Sequence, residues 1–152
     1  MVRAAIALGS NLGDRRAALQ GAADLLSARL HQLIVSEFIE TAPEGVGPQP
    51  AFLNAAAVGG WGGDARSLLD LLLAIEHAGG RTRPYPGAPR TLDLDLVLFG
   101  SAIIDEPGLT VPHPRFRERR FVLEPLSRIA PDITDPVTGL TAAALWRSLR
   151  EQ

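Results

Sequence analysis

Pro89-Arg90-Thr91-Leu92-Asp93-Leu94-Asp95-Leu96-Val97-Leu98-Phe99-Gly100 is the stretch on which the fold turns. Its second half is an apolar run stopped by glycine, the pattern of a buried strand, yet two carboxylates stand at its entrance. Side chains alternate across a strand, so Asp93 and Asp95 share one face while Leu92, Leu94, Leu96 and Leu98 share the other. Two like charges about 7 Å apart, on a face that later carries Val97 and Phe99, admit two readings. Either the strand end overhangs its sheet and the carboxylates are solvated, or a divalent cation, or two, sits between them.

Immediately upstream lies Arg81-Thr82-Arg83-Pro84-Tyr85-Pro86-Gly87-Ala88-Pro89-Arg90, a Pro/Gly-rich loop with three arginines. Such a loop could serve as solvated surface or as salt-bridge partner to the aspartates. Arginines that grip phosphate oxygens next to carboxylates that hold Mg²⁺ are also what a metal-nucleotide site requires. All 15 basic residues are arginine. The lack of lysine excludes a P-loop lysine and a Schiff-base lysine, so a phosphate site here must use arginine forks, histidine and metal.

Working outward toward the N-terminus, Ala4 to Leu8 reads as a buried strand and Gly9-Ser10-Asn11-Leu12-Gly13-Asp14 as the turn after it. The two glycines suit a phosphate loop or simply the strand-to-helix turn. Asp14 is an N-cap for a helix to about Leu30, with Ala18, Leu19, Ala22, Leu25, Leu26 and Leu30 on one face. Leu33 to Ile39 reads as a second strand and Phe52 to Val58 as a third, with Asn54 on the same face as Phe52. Between them, residues 42–51 are too rich in proline and glycine for helix or central strand, and their length suggests a binding loop. Asp64 starts a second helix that runs through Glu76 and stops at Gly79-Gly80.

Beyond Gly100, short extended pieces at residues 103–105 and 109–111 flank a Pro/Gly turn. Pro112-His113-Pro114 fixes a histidine in extended backbone, either as a structural group or facing the site. Arginines 115, 117, 119 and 120 follow, then a short apolar helix or turn at residues 121–126. Thr141 caps a final helix over residues 142–150.

The order strand, helix, strand, strand, helix, strand predicts a ferredoxin-like βαββαβ sandwich of the α+β class, an antiparallel sheet with helices on one face plus a C-terminal extension. A chain of 152 residues suits a single domain, residues 1–152. Net charge is −2 and aromatic residues are 5% of the chain, which argues against a general nucleic-acid binder and against base-stacking by an RNA-recognition sheet. No apolar run is long enough for a membrane span and no secretory leader is evident. With no cysteine, a reducing compartment is suitable, and the cytoplasm and a monomer are expected.

Taken together, these blocks resemble 6-hydroxymethyl-7,8-dihydropterin pyrophosphokinases. The resemblance rests on Gly9-Ser10-Asn11-Leu12-Gly13-Asp14, Phe52-Leu53-Asn54-Ala55-Ala56, Glu76 with Gly80-Arg81-Thr82-Arg83, and Gly87 through Leu96. It continues in Leu109-Thr110-Val111-Pro112-His113-Pro114-Arg115 and Arg119 through Leu126. Each block alone is weak, whereas their joint order and spacing are specific. The resemblance implies transfer of the β,γ-pyrophosphoryl group of ATP to a hydroxymethyl dihydropterin, with release of AMP, in folate biosynthesis. By the same resemblance, Asp93 and Asp95 hold two Mg²⁺ ions, and Arg81 and Arg90 engage the phosphates. Glu76, Arg83, Leu96, Thr110, His113 and Arg119 match ATP-binding positions. Phe52 and Phe121 match aromatics that sandwich the pterin, whose polar edge pairs with Asn54 and the backbone of Thr41, Ala42 and Pro43. Residues 42–51 and 81–90 are candidates for closing over bound ATP.

Two departures from the family pattern stand out. The second loop has Tyr85 and no tryptophan, and Gly108 occupies a position that is often basic. Two other classes fit parts of the sequence: a ferredoxin-like binding module that needs neither aspartate, and a kinase that moves one phosphoryl group and releases ADP.

Overall fold

The structure, a computed structural model, describes residues 1–41, 51–79 and 92–152. The expectations placed on residues 42–50 and 80–91, including Ala42, Pro43, Arg81, Arg83, Tyr85 and Arg90, lie outside the described residues.

Strand β1 (Val2–Ser10) is followed by α1 (Arg15–Ser27), β2 (His31–Val35), β3 (Ile39–Thr41), β4 (Phe52–Trp61), α2 (Ala65–Ala78) and β5 (Asp93–Phe99). A hairpin of β6 (Ile104–Glu106) and β7 (Leu109–Val111), a 3₁₀ turn (Phe116–Glu118), α3 (Arg120–Ile129) and α4 (Ala142–Arg150) complete the described elements. The main sheet runs β2-β4-β1-β5 with antiparallel neighbours, and β3 extends the β2 edge along β4. Both crossovers skip one strand, so this is the ferredoxin-like arrangement expected from the element order.

Helix starts follow local chemistry. The Asp14 carboxylate accepts from the Ala17 amide at 3.0 Å, Asp64 from Ser67 at 2.9 Å, and the Thr141 hydroxyl from Ala144 at 3.1 Å. Helix α1 ends at Ser27, earlier than the expected Leu30. Leu30 remains buried because its amide still reaches the Leu26 carbonyl at 2.8 Å. The expected second strand is split into β2 and β3. Ser36 bridges the gap: its amide donates to the Ala56 carbonyl and its hydroxyl accepts from the Ala56 amide, at 2.8 and 2.9 Å.

Alternation also fails within the opening stretch. Ala5 pairs with Leu98 but Ile6 pairs with Leu96, leaving Val97 as the extra residue of a β-bulge. Leu92, Leu94 and Leu96 pack with Leu19, Leu68 and Leu72 beneath α1 and α2. Past the bulge the faces exchange: Leu98 joins Val97 on the opposite side and Phe99 returns to the α1/α2 side. Leu98 and Phe99 are therefore each on the face opposite to the one expected.

That opposite side is not open over its whole length. Residues 121–126, read as a short helix or turn, belong to α3, and α3 with α4 forms a second helical layer on it. Val122, Leu123 and Leu126 of α3 and Leu145 of α4 bury Ala5, Ala56, Val58 and Val97. The sheet thus carries helices on both faces, and the C-terminal extension covers one half of its second face. None of the described helices is long and apolar enough to cross a membrane.

Candidate active site

The uncovered half of that second face carries the site. Register places Asn54, Gly9 and Asp93 side by side across β4, β1 and β5, and Ala56, Ala7 and Asp95 in the next row. Neighbouring strands lie about 4.8 Å apart, so Asn54 and Asp93 stand about 10 Å from each other across a floor of small residues. Gly9 leaves room there for the Asn54 amide. A Cβ at that position would lie 3.0 Å from Asn54 Oδ1, inside ordinary contact. Asn54 itself is buried, and its Nδ2 donates to Thr41 Oγ1 at 2.6 Å, which fixes the amide with Oδ1 above the floor.

A cavity of about 250 Å³ opens over these rows, bounded by Thr41, Phe52 and Asn54 on one flank and Asp93 and Asp95 on the other. Phe121, at the start of α3, and Arg115 and Arg119, on either side of the 3₁₀ turn, line it from the C-terminal layer. The Arg119 guanidinium lies 5.5 Å from the Phe121 ring centroid, within cation-π range. A slot with two aromatic rings and an asparagine edge suits a flat, polar-edged heterocycle.

A second cavity of about 270 Å³ adjoins it at the outer strand β5, lined by Leu94, Asp95, Leu96, Thr110 and His113 among others. Asp95 lines both cavities. His113 is tied to the bulge, its amide donating to the Val97 carbonyl at 2.9 Å. Its Nδ1 accepts from the Arg115 amide at 3.1 Å, so in the neutral ring Nε2 carries the proton and is the available donor. Burial, then the charges of Arg119 and Arg115, hold its pKa below the usual value, with Asp93 opposing.

Glu76 is not on the lining of either cavity. Its buried carboxylate accepts from the Leu94 amide at 2.6 Å, anchoring the backbone between Asp93 and Asp95 from behind. Gly108, with φ of 78°, lines the second cavity, and a Cβ there would come within 3.7 Å of the Arg66 guanidinium, which is bonded to Glu106 and the Pro107 carbonyl. The basic group beside this glycine therefore comes from α2.

The structure brings together Asp93, Asp95, Thr41, Phe52, Asn54, Arg119 and Phe121 in the first cavity and Leu96, Thr110 and His113 in the second. In the sequence Gly9 reads only as a phosphate-loop or turn glycine and Arg115 only as part of a matching block; the structure puts both at the first cavity. The four-residue spacing of Arg115 from Arg119 and a glycine inside a buried strand were the available signals. Among the described residues there is no cluster of three His, Cys, Asp or Glu side chains able to hold a metal alone. Mg²⁺ is commonly held through one or two carboxylates with water and substrate phosphates filling its octahedron, so the Asp93/Asp95 pair fits such an ion.

The fold is that of a ferredoxin-like α+β protein, and its site gathers carboxylates, arginines and paired aromatics. The family model 7,8-dihydro-6-hydroxymethylpterin-pyrophosphokinase (HPPK) matches residues 5–131, and the chain belongs to that family. The 2-amino-4-hydroxy-6-hydroxymethyldihydropteridine pyrophosphokinase of Pseudomonas aeruginosa is 43% identical over 138 residues, 88% of this chain and 84% of the relative. That of Bacillus subtilis is 42% identical over 136 residues, 88% of this chain and 81% of the relative. The crystal structure of wild-type Plasmodium falciparum HPPK-DHPS superposes with a TM-score of 0.77 at 15% identity, covering 97% of this chain. The chain spans only 44% of that longer structure, which supports the fold alone.

Proposed function

We propose that the first cavity holds the dihydropterin, the second holds ATP, and Asp93 and Asp95 bind two Mg²⁺ ions where the cavities meet. As a family member the chain transfers the pyrophosphoryl group of ATP to the hydroxymethyl group of 6-hydroxymethyl-7,8-dihydropterin in folate synthesis, releasing AMP. The observation that carries the site assignment is Asp95, a carboxylate lining both cavities.

The reaction joins the hydroxymethyl oxygen to the β-phosphorus and breaks the bond from that phosphorus to the oxygen leading to the α-phosphate. Phe52 and Phe121 hold the ring by stacking, which gives affinity without fixing its rotation. Asn54, with its amide fixed by Thr41, orients the polar edge together with the backbone of Thr41, Ala42 and Pro43. The His113 Nε2–H donates to a phosphate oxygen, and Arg119 supplies a charge-assisted contact. Arg81, Arg83 and Arg90 contribute further phosphate forks, and Leu96 and Thr110 border the nucleotide. Glu76 serves the nucleotide site through the Leu94 amide, keeping Asp93 and Asp95 in register. When bound, Mg²⁺ would neutralise phosphate charge and lower the pKa of the attacking hydroxyl. No side chain is assigned as a dedicated base.

The proposed setting is the cytoplasm, in accord with a chain free of cysteine, and the proposed state a monomer. The test is the nucleotide product after incubation with ATP, Mg²⁺ and the hydroxymethyl dihydropterin. AMP in equal amount to pterin consumed is expected; ADP, or no turnover, would defeat the proposal.

A further inference from the structure

Arg115 and Arg119 line the first cavity from the two ends of a segment whose middle is a single 3₁₀ turn. The residue preceding that turn makes no side-chain cap bond, and the segment belongs to no strand ladder. One fixed point is Phe116, buried in the core beneath α3 and α4. Among the described residues, the other bonds of the segment are to near neighbours: the Arg115 amide donates to His113 Nδ1 at 3.1 Å, Arg115 Nε to Glu118 at 2.8 Å, and the Arg119 carbonyl accepts from the Val122 and Leu123 amides at 3.1 and 3.0 Å. A shift of even 1 Å at a guanidinium degrades alignment with phosphate.

An ion pair outside the cavity ties the middle of the segment to a residue 18 positions further along the chain. Arg117 Nε and Nη2 donate to Asp135 Oδ2 and Oδ1 at 2.6 and 2.9 Å, a two-pronged fork. Asp135 is fully buried. The same carboxylate accepts from the Val137 amide at 3.0 Å and from the Thr138 hydroxyl at 2.7 Å. Its own backbone closes the turn before α4, the amide donating to the Leu140 carbonyl and the carbonyl accepting from the Gly139 amide, at 2.9 and 2.8 Å. The acceptor is therefore rigid. Burial would raise the Asp135 pKa, but the bonds from Arg117, Thr138 and Val137 bring it down to about 2, so it is a carboxylate throughout the working pH range.

We infer that Asp135 and Arg117 are positioning residues of the pyrophosphokinase site, a remote clamp that fixes the direction in which Arg115 and Arg119 enter the cavity. The inference rests on the functional reading above. A buried ion pair is weak support for stability in itself, because desolvation offsets its attraction, and apolar replacements are often neutral. What it supplies here is a defined geometry for the segment between two site arginines.

The test uses three full-length variants: Asp135→Asn, Arg117→Lys, and the double variant Arg117→Met/Asp135→Leu, which fills the buried volume without a fork. Melting temperature, kcat, both KM values and binding of α,β-methylene-ATP with Mg²⁺ by calorimetry are measured for each. The clamp predicts variants that fold and lose about 10- to 100-fold in kcat. Nucleotide Kd should rise about tenfold through the displaced Arg119 contact, and the pterin KM should rise less, by about threefold, because Phe52 and Asn54 on β4 are untouched although Phe121 borders Arg119 in the same cavity. Arg117→Lys should retain more activity than the double variant. Folded variants with wild-type kcat and nucleotide binding would overturn the inference, as would failure of all three to fold, which would make the pair a requirement of the fold. A wild type that makes no AMP would defeat the reaction, while nucleotide binding would still read the clamp.

Discussion

Replacing Gly9 with alanine puts one methyl group on the floor of the first cavity. The new Cβ lies 3.0 Å from Asn54 Oδ1, 3.8 Å from Phe52 Cδ1 and 4.0 Å from the Leu53 carbonyl. Only the first contact is too close, so the Asn54 amide has to give by a few tenths of an ångström. It is poorly placed to do so, being 4% exposed and bonded to Thr41 at 2.6 Å. Weakening one neutral hydrogen bond costs about 1 kcal/mol, and relief from glycine's entropy in a strand returns about 0.5–1 kcal/mol. Global stability should therefore change by less than about 1 kcal/mol. Recognition gains no such offset, because the displaced Oδ1 and the added methyl both act on the bound ring. A loss of about 1.4 kcal/mol corresponds to a tenfold weaker pterin Kd. Steady-state KM values for each substrate and pterin binding by fluorescence measure this. The expected result is a tenfold rise for the pterin with the ATP KM unchanged. An unchanged pterin KM, or a rise confined to ATP, would refute the assignment of the Asn54–Gly9 row to the pterin.

Asp95→Ala should abolish Mg²⁺-dependent turnover with a melting temperature within a few degrees of wild type. Activity retained alongside a large fall in stability would make Asp95 a structural residue. Glu76→Ala leaves the buried Leu94 amide without its carboxylate, at a cost of about 1–3 kcal/mol on the denaturant midpoint, and kcat should fall because Asp93 and Asp95 lose their backing; a neutral effect on both would contradict that role. His113 should titrate below 6.5 in the folded protein by NMR. Because the folded state resists protonation there, its contribution to stability is present above 6.5 and is lost as pH falls from 6.5 toward the folded pKa. A titration at or above 6.5 would contradict the burial and the arginine charges invoked for it.

The parts of the fold that could be read from sequence are those set by neighbouring residues. Asp14, Asp64 and Thr141 each cap a helix through an amide three residues on, so their signals are local. Strand alternation likewise put Asp93 with Asp95 and Asn54 with Phe52, and register then brought both pairs to one cavity. The bulge at Val97 was not legible, because Leu96, Val97 and Leu98 are all apolar and nothing marks which one is extra. Helix α3 runs to Ile129, beyond the short helix or turn expected over residues 121–126, and accommodates Pro125, a residue disfavoured inside helices. Its role as a second layer depends on contacts with α4 and with β4, which no local pattern displays. The position of Arg115 is likewise invisible to a local pattern. Its place at the cavity follows from the 3₁₀ turn, and that turn is tied to Asp135, 18 residues from Arg117.

The central claim is that two phosphoryl groups move together from a nucleotide bound beside Asp95. Incubating the enzyme with Mg²⁺, hydroxymethyl dihydropterin and ATP labelled at the β-phosphorus tests it directly. The label is expected in the pterin product, with unlabelled AMP released. Label retained in ADP would contradict it.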